Sequence, residues 1–256
     1  MEQIVLENVQ KTFSGQPVLK GVNLSVNEGE TMVVIGRSGC GKSVMLKHII
    51  RIFRPDAGRI FVDGENITDL KEYELFRVRK KFGVLFQGAA LLDSLTVWEN
   101  VGLSLIELSD LSHDSIRSIV KEKLAMVGME GTEEYMPADL SGGMKKRVGL
   151  ARAIVMEPEI ILYDEPTTGL DPIMANTINE LIISLKKELN ITSVVVTHDM
   201  TSARKVGDRA AMLHDGEIIF NGTFPELDAS DNPIVSQFVE GRAESLLKPA
   251  SRRFPD

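Results

Sequence analysis

Apolar positions along the chain follow two alternating patterns. Compact runs of Val, Ile and Leu, typical of buried strands, occur in "TMVVIG" (31–36), "FGVLFQ" (82–87), "EIILYDEP" (159–166) and "TSVVVTHD" (192–199). Apolar residues at helical spacing occur in "KSVMLKHIIRIF" (42–53) and "IMANTINELIISLKKEL" (173–189). Because strands alternate with helices, the chain is predicted to form an α/β fold around a mainly parallel sheet.

Three regions depart from this alternation. The first thirty residues hold short β-rich pieces, "IVLENV" (4–9) and "VNLSV" (22–26), joined by polar turns. From Gly88 to about Met156 helical spacing replaces the strand signals, which predicts a helical subdomain inserted into the α/β core. Near the end, "AAMLHDGEIIFNG" (210–222) predicts a hairpin that turns at Asp215-Gly216. We predict one domain over residues 1–222 and a C-terminal helix and tail over 223–256.

Composition narrows the classes of function. The hydrophobic fraction of 43% is ordinary for a globular protein with a sizeable core, and the formal net charge of −8 argues against nucleic acid as the main partner. The single cysteine cannot form an internal disulfide and fits a reducing compartment. No apolar run approaches the ~18 residues of a membrane span, and the N-terminus lacks the pattern of a signal peptide. We therefore expect a cytosolic protein that reaches a membrane only through a partner.

The stretch "GRSGCGKS" (36–43) carries the strongest chemical signal. It matches the phosphate-loop pattern G-x-x-x-x-G-K-[ST], and it lies between a predicted strand and a predicted helix, as that pattern requires. Its backbone N–H groups are expected to surround a phosphate, with the lysine on the β- and γ-phosphates and the last serine on Mg²⁺. The alternative is a glycine-rich turn with a chance lysine. The predicted nucleotide-binding residues are Gly36, Arg37, Ser38, Gly39, Cys40, Gly41, Lys42 and Ser43.

Polar side chains end three of the predicted strands. Asp164 and Glu165 are expected on opposite faces of one strand, so Asp164 is assigned to Mg²⁺ and Glu165 to orienting or deprotonating the attacking water. His198 ends another strand, where it can contact the γ-phosphate. Gln87 ends a third and can bind Mg²⁺ or water, although this signal alone is weak. The alternatives are a solvated acidic turn and a structural histidine.

A second pair of glycines raises a separate question. In "DLSGGMKKRVGLARAI" (139–154), Ser141, Gly142 and Gly143 open a predicted helix. Exposed N–H groups at a positive helix end bind anions, so this turn is a second candidate phosphate site in a chain that already has one. The simpler interpretation is an ordinary helix cap, since serine and glycine are good N-cap residues, and both interpretations can hold together.

The ordered set of motifs resembles the ATP-binding subunit of an ABC transporter over Ile4 to about Gly222. "GRSGCGKS" resembles the Walker A loop, Gln87 the Q-loop, "LSGGM" the signature and "IILYDEP" Walker B. "GLDP", with Asp171, resembles the D-loop, and His198 the switch histidine. The resemblance implies a P-loop NTPase core with an N-terminal antiparallel β subdomain and an inserted helical subdomain, and it implies ATP and Mg²⁺ as cofactors.

The same resemblance explains two phosphate sites in one chain. ABC ATPases pair head to tail, so Ser141, Gly142 and Gly143 are implied to bind the ATP that the second copy holds. Phe13 stands where the family usually has an aromatic residue stacked on adenine. The alternative for Phe13 is a core phenylalanine.

Two stretches indicate a branch of the family. "FQGAALLDSLTVWENV" (86–101) and "LSGGMKKR" (140–147) resemble the MCE-associated lipid transport ATPases, including those of Mla phospholipid systems. This implies phospholipid transport through a separate permease, with an MCE-type lipid-binding protein in the complex, at the cytoplasmic face of the inner membrane. The alternatives are an importer ATPase for a small polar solute such as an amino acid, and a soluble ABC ATPase without a transport role.

Two further segments are candidates for partner contacts. The apolar residues of "GAALLDSLTVWEN" (88–100), including Leu91, Leu95 and Trp98, are predicted to contact the permease, and the alternative is packing inside the helical subdomain. "NPIVSQFVEGRAESLL" (232–247) predicts a capped helix with one apolar face. The tail after it is expected to be solvated chain or a clasp that docks Phe254 on a second copy.

Overall fold

The computed structural model describes residues 1–242 of the chain. Its strands are β1 (Glu2–Phe13), β2 (Gln16–Asn27), β3 (Thr31–Ile35), β4 (Ala57–Val62), β5 (Glu65–Asn66), β6 (Phe82–Leu85), β7 (Ile160–Asp164), β8 (Thr192–Thr197), β9 (Arg209–His214) and β10 (Glu217–Thr223). Its α-helices are α1 (Lys42–Ile49), α2 (Glu72–Arg79), α3 (Val97–Leu108), α4 (His113–Met126), α5 (Gly142–Ile154), α6 (Pro172–Leu189), α7 (Met200–Val206), α8 (Phe224–Asp228) and α9 (Pro233–Val239).

The larger sheet has six strands in the order β10-β9-β3-β8-β7-β6. Every neighbouring pair from β9 to β6 is parallel, and only β10 runs antiparallel, to β9. The hairpin between β9 and β10 turns at Asp215 and Gly216, with φ of 46° and 84°. These left-handed values are those of a type I′ turn, which suits the twist of a two-residue hairpin. The predicted mainly parallel sheet and its terminal hairpin are therefore confirmed.

The N-terminal sheet is antiparallel, with the order β2-β1-β4-β5. Both β1 and β2 run for 12 residues, longer than the short pieces that the apolar pattern indicates. Register shifts along the β1–β2 pair absorb polar residues that interrupt the alternation. One irregularity brings β1 against Gly58 of β4, where an added Cβ would lie 2.3 Å from the carbonyl oxygen of Asn8. The strands therefore continue through positions that resemble turns in the sequence.

Between residues 88 and 156, the structure forms α3, α4, a short 3₁₀ helix (Pro137–Asp139) and α5. Their buried apolar residues, among them Val101, Val120 and Val148, belong to the same core cluster as the inner side of the six-stranded sheet. Helix α5 lies directly on β6, where a Cβ added to Gly83 would be 2.1 Å from the carbonyl oxygen of Ala153. The predicted helical region is thus packed tightly against the sheet, while its standing as a separate subdomain remains a prediction.

The parallel arrangement of β3, β8, β7 and β6 gathers four loops at one edge of the sheet. Each of these strands has its carboxyl end at this edge, where α/β proteins bind their ligands. The loops that follow are the predicted phosphate loop after β3, Gln87 after β6, Glu165 after β7 and His198 after β8. The topology therefore brings together four signals that lie far apart in the sequence.

The C-terminal part of the described chain is helical but shorter than predicted. Asn232 caps α9 by accepting a hydrogen bond from the backbone N–H of Ile234, and Val235 is buried in the core. The helix ends at Val239, because Gly241 takes φ 64° and breaks it. The boundary at residue 222 stays a prediction, and the predicted tail with Phe254 lies outside the described residues. Within residues 1–242, no helix is long and apolar enough to cross a membrane.

Candidate functional site

The phosphate loop connects β3 to α1 through backbone conformations that favour glycine. Gly41 precedes α1 with φ 106°, in the left-handed region. At Gly36, an added Cβ would lie 2.3 Å from the carbonyl oxygen of Leu213 and 2.9 Å from the sulfur of Cys40. No side chain fits there, and its absence lets the loop lie directly against β9.

Lys42 follows the loop as the first residue of α1 and is 5% exposed. Its ammonium donates to the carbonyl oxygens of Gly36, at 2.8 Å, and of Arg37, at 3.2 Å. It also lies 3.3 Å from Oε1 of Glu165. A buried cation is stable only with such partners, and these contacts hold it across the mouth of the loop, where the phosphates of a nucleotide are expected.

Ser43 and Asp164 supply a pair of oxygen ligands. The Ser43 hydroxyl donates to Oδ1 of Asp164 at 2.7 Å, so the first turn of α1 is joined to the end of β7. Within residues 1–242, no three or more His, Cys, Asp or Glu side chains form a group able to hold a metal by themselves. This donor set suits Mg²⁺, which usually binds one or two protein oxygens and takes its remaining ligands from phosphates and water.

Glu165 is buried and has a strained backbone. Strand β7 ends at Asp164, and Glu165 takes φ 49°, a left-handed conformation unusual for glutamate. Glu165 therefore lies just after the end of β7. The expectation that Asp164 and Glu165 lie on opposite faces of one strand does not apply, because Glu165 is not part of the strand. The two carboxylates still have different partners: Oε2 of Glu165 accepts from the Thr168 hydroxyl at 3.0 Å and lies 2.8 Å from Nδ1 of His198.

A cleft of about 430 Å³ opens over these groups. It is lined by Val18, Ser38, Gly39, Gly41, Lys42, Ser43, Val44, Gln87, Glu165, Thr168 and His198. The structure thus brings together the phosphate loop and the polar residues that follow three other strands. Sequence reasoning missed Val18, Val44 and Thr168. The run "DEPTT" offered a signal for Thr168, whereas nothing in the sequence places Val18 beside the loop.

Phe13 is not among the residues that line this cleft. It ends β1, where its ring packs edge-on against Phe53 with centroids 5.2 Å apart, and the Lys11 ammonium lies 5.4 Å from its centroid. The residue is 36% exposed, so it is not a core phenylalanine. Its role at adenine stays a prediction.

The second glycine pair is likewise outside the cleft. Ser141 caps α5, and its hydroxyl accepts from the backbone N–H of Met144 at 3.3 Å. Ser141 and Gly142 are exposed. Asp171 caps α6 by accepting from the N–H groups of Ile173 and Met174. Ser141 thus forms the cap that the sequence predicts, and within one chain the two candidate phosphate sites have separate surroundings.

Burial shifts two pKa values near the loop. It raises the pKa of the Cys40 thiol, against the opposing effect of Lys42, so the thiol stays protonated. It lowers the pKa of Lys146, a lysine of α5 that sequence reasoning did not single out, while Asp164 and Glu165 act in the opposite direction. Lys146 is 5% exposed, which is unusual for lysine.

Comparisons with known proteins agree on a family. A family model described as "ABC transporter" matches residues 19–168. The chain is 37% identical to "Intermembrane phospholipid transport system ATP-binding protein MlaF" of Escherichia coli, over 100% of this chain and 96% of that protein. It is 41% identical to "Probable ribonucleotide transport ATP-binding protein mkl" of Mycobacterium tuberculosis, over 93% of this chain and 67% of that protein.

A solved structure has a similar fold. It is an ATP-binding cassette whose dimer is bound to ADP and Pi in a post-hydrolysis state. The TM-score is 0.80 at 38% identity, over 86% of this chain and 98% of that chain. The site geometry and the comparisons therefore point to the same chemistry.

Proposed function

The chain belongs to the ATP-binding proteins of ABC transporters, and on this premise we propose that it hydrolyses ATP to drive phospholipid transport through a separate membrane permease. The ATPase chemistry follows from the family and the cleft. The phospholipid rests on a narrower observation: the match to the E. coli MlaF protein covers both chains almost completely.

The phosphate loop is proposed to hold the β- and γ-phosphates of ATP. The N–H groups of residues 36–43 surround them, and Lys42 exchanges its loop carbonyls for phosphate oxygens. Ser43, Asp164 and Gln87 would hold Mg²⁺, which neutralises charge on the phosphates when bound. Phe13, at the exposed end of β1, is proposed to stack on the adenine.

Glu165 is proposed to orient the attacking water and accept its proton. Its carboxylate is 9% exposed and is held by Thr168, His198 and Lys42. A carboxylate fixed on several sides keeps its orientation through the reaction, so little reorganisation is needed when water attacks. His198 fixes one oxygen of that carboxylate and is proposed to contact the γ-phosphate as well.

A second copy of the chain is proposed to complete each site. Ser141 and Gly142 are exposed at the N-terminus of α5, outside the cleft, and Gly143 is buried next to them. All three are proposed to bind the γ-phosphate held by another copy. Head-to-tail pairing forms two such sites by one symmetry operation. Asp171, at the cap of α6, lies in the loop that follows Walker B and is proposed to contact the second copy.

The permease and an MCE-type lipid-binding protein are the proposed further partners. Contact with the permease would place the chain at the cytoplasmic face of the inner membrane. In the segment 88–100, Trp98 is 9% exposed and Leu91 packs on the core, so these two residues serve the fold. Leu92 is 47% exposed and is the better candidate for contact with the permease.

A second candidate substrate is a ribonucleotide, favoured by the M. tuberculosis relative, which is named as a probable ribonucleotide transport protein. The two substrates are distinguished by purifying the chain with its permease and measuring ATPase activity in phospholipid vesicles, with and without added ribonucleotides. Phospholipid transport predicts stimulation by the vesicles and phospholipid retained in the purified complex. Stimulation by ribonucleotides alone, without retained lipid, would contradict the phospholipid proposal.

A further inference from the structure

Lys146 lies beneath the ATP cleft and contacts the main chain of two of its residues. Its buried ammonium donates to the carbonyl oxygen of Glu165, at 3.2 Å, and to the carbonyl oxygen of Gln87. We propose that Lys146 is a positioning residue for ATP hydrolysis, which fixes the main chain at Glu165 and Gln87 so that their side chains reach the reacting groups.

The backbone at Glu165 needs support from its surroundings. Its left-handed φ of 49° is unfavourable for a residue with a side chain, and such conformations persist where neighbouring contacts hold them. Its N–H donates to the carbonyl oxygen of Val196 at 2.9 Å, and its carbonyl accepts from Lys146. The peptide groups on both sides of Glu165 are therefore held, one by β8 and the other by α5.

The loop after β6 is strained in the same way. Ala89 and Ala90 both have left-handed φ, 60° and 49°. The Arg152 guanidinium, on the same helix as Lys146, donates to the carbonyl oxygens of both alanines. Two cations of α5 thus hold the main chain of residues 87–90, one at each end.

Close packing lets these two cations reach the loop. Gly149 of α5 lies between them, and a Cβ added there would be 2.7 Å from Cδ1 of Leu85 and 3.3 Å from Cβ of Ala89. A larger residue at this position would require the Leu85 side chain, the loop or the helix to shift. The contacts of Lys146 and Arg152 therefore depend on a helix face that is built for close approach.

The charge of Lys146 matters for this role. A hydrogen bond from an ammonium to a carbonyl is stronger than one from a neutral donor, most of all where water is excluded. Lys146 is 5% exposed, so little water competes with these two carbonyls for its ammonium. Lysine here gives charge-assisted hydrogen bonds to two carbonyls at once.

Helix α5 also connects this position to the second phosphate site. It begins at Gly142, one residue after Ser141, and Lys146 lies one turn further along. A displacement of the helix N-terminus when a second copy binds would reach the carbonyls of Gln87 and Glu165 through Lys146. The same residue thereby joins the two halves of the proposed composite site.

The test compares Lys146→Met, Lys146→Arg and a control, Lys123→Met, in the full chain. Lys123 is also buried, at 3% exposed, but its ammonium pairs with the carboxylates of Glu122, on α4, and Glu157, after α5, where Lys146 contacts main-chain carbonyls of the cleft. We expect Lys146→Met to lower kcat at least about tenfold with KM for ATP nearly unchanged. Lys146→Arg, which keeps the cation, should restore most of the rate, and Lys123→Met should leave kcat near wild type.

The inference would be overturned if folded Lys146→Met kept the wild-type kcat. It would also be overturned if Lys146→Met and Lys123→Met lost kcat, ATP affinity and melting temperature to the same extent, because such losses indicate a role in packing alone. If Lys146→Met does not fold, Lys146→Gln keeps a donor without the charge, and a wild-type kcat in that variant would exclude a need for the cation.

The inference rests on the proposed roles of Glu165 and Gln87, so Glu165→Gln is measured beside these variants. Wild-type turnover in Glu165→Gln would remove the proposed catalytic carboxylate, whatever Lys146 does. Loss of turnover in Glu165→Gln with normal turnover in Lys146→Met would leave the proposed function intact and overturn only the positioning role.

Discussion

Nδ1 of His198 lies 2.8 Å from Oε2 of Glu165, at the end of the neighbouring parallel strand. The pair joins the loops that follow β7 and β8, and Glu165 in turn contacts Lys42 of the phosphate loop. Both side chains line the cleft, and that of His198 is 47% exposed while that of Glu165 is 9% exposed. This arrangement suits a histidine that contacts the γ-phosphate and a carboxylate whose orientation it fixes.

Replacing His198 with alanine should slow ATP hydrolysis and leave ATP binding nearly intact. The change removes one contact to the Glu165 carboxylate and the proposed donor to the γ-phosphate, and the loss of one such donor typically costs about 10²-fold in kcat. Steady-state ATPase assays with a separate measurement of nucleotide affinity test this. A loss of affinity equal to the loss of rate would indicate that His198 acts in binding alone.

Glu165→Gln should stop turnover while ATP remains bound. The amide keeps the shape of the side chain but cannot accept a proton, and the loss of a general base typically costs ~10² to 10⁴-fold. Because hydrolysis is expected to open the pair, the variant should also accumulate as an ATP-bound dimer, measurable by size-exclusion chromatography with light scattering. Lys42→Ala is the contrasting variant, which should weaken ATP binding itself and form no such dimer.

Ser141→Arg should block hydrolysis without weakening the ATP affinity of the isolated chain. Ser141 lies outside the cleft that holds the phosphate loop, so the arginine would obstruct only the nucleotide of a second copy. ATP affinity is measured with a fluorescent analogue at protein concentrations that favour the monomer. Normal ATPase activity in this variant would contradict a site shared between two copies.

Leu92→Asp should weaken assembly with the permease. Leu92 is 47% exposed, and its backbone N–H is fixed by the side chain of Asn100 at 2.7 Å, so a charge there changes the surface and not the fold. Leu111→Asp, at a residue that is 44% exposed between α3 and α4, is the matched control. Pull-down of the permease measures both variants. Equal retention of the two would place the docking surface elsewhere.

The family, the ATPase activity and the mainly parallel sheet were predictable from the sequence, because they depend on ordered motifs and on apolar runs that keep their period. Asp164, for example, follows four apolar residues, and the carboxyl end of a buried strand beside a phosphate loop is where α/β proteins bind their ligands. Helix starts were also predictable, because Ser141 and Asp171 cap their helices through hydrogen bonds to residues close by in the sequence.

Other features depend on contacts between distant segments and could not be predicted. The left-handed backbone of Glu165 is held by β8 and by Lys146, and the sequence around it suggests only a strand that continues. Lys146 itself resembles a solvent-exposed lysine in a basic run, and only the packing of α5 on β6 shows that it is buried. The early end of α9, in contrast, could have been predicted. Gly241 is a helix-stop signal, and the prediction carried the helix past it.

ATP-driven phospholipid transfer by the purified complex tests the proposed function most directly. The chain and its permease are reconstituted into vesicles with a fluorescent phospholipid, and transfer to acceptor vesicles is followed with ATP, without ATP and with Glu165→Gln in place of the wild-type chain. Transfer is expected only with ATP and the wild-type chain. Equal transfer in all three conditions, or hydrolysis of ATP with no phospholipid moved, would contradict the proposed function.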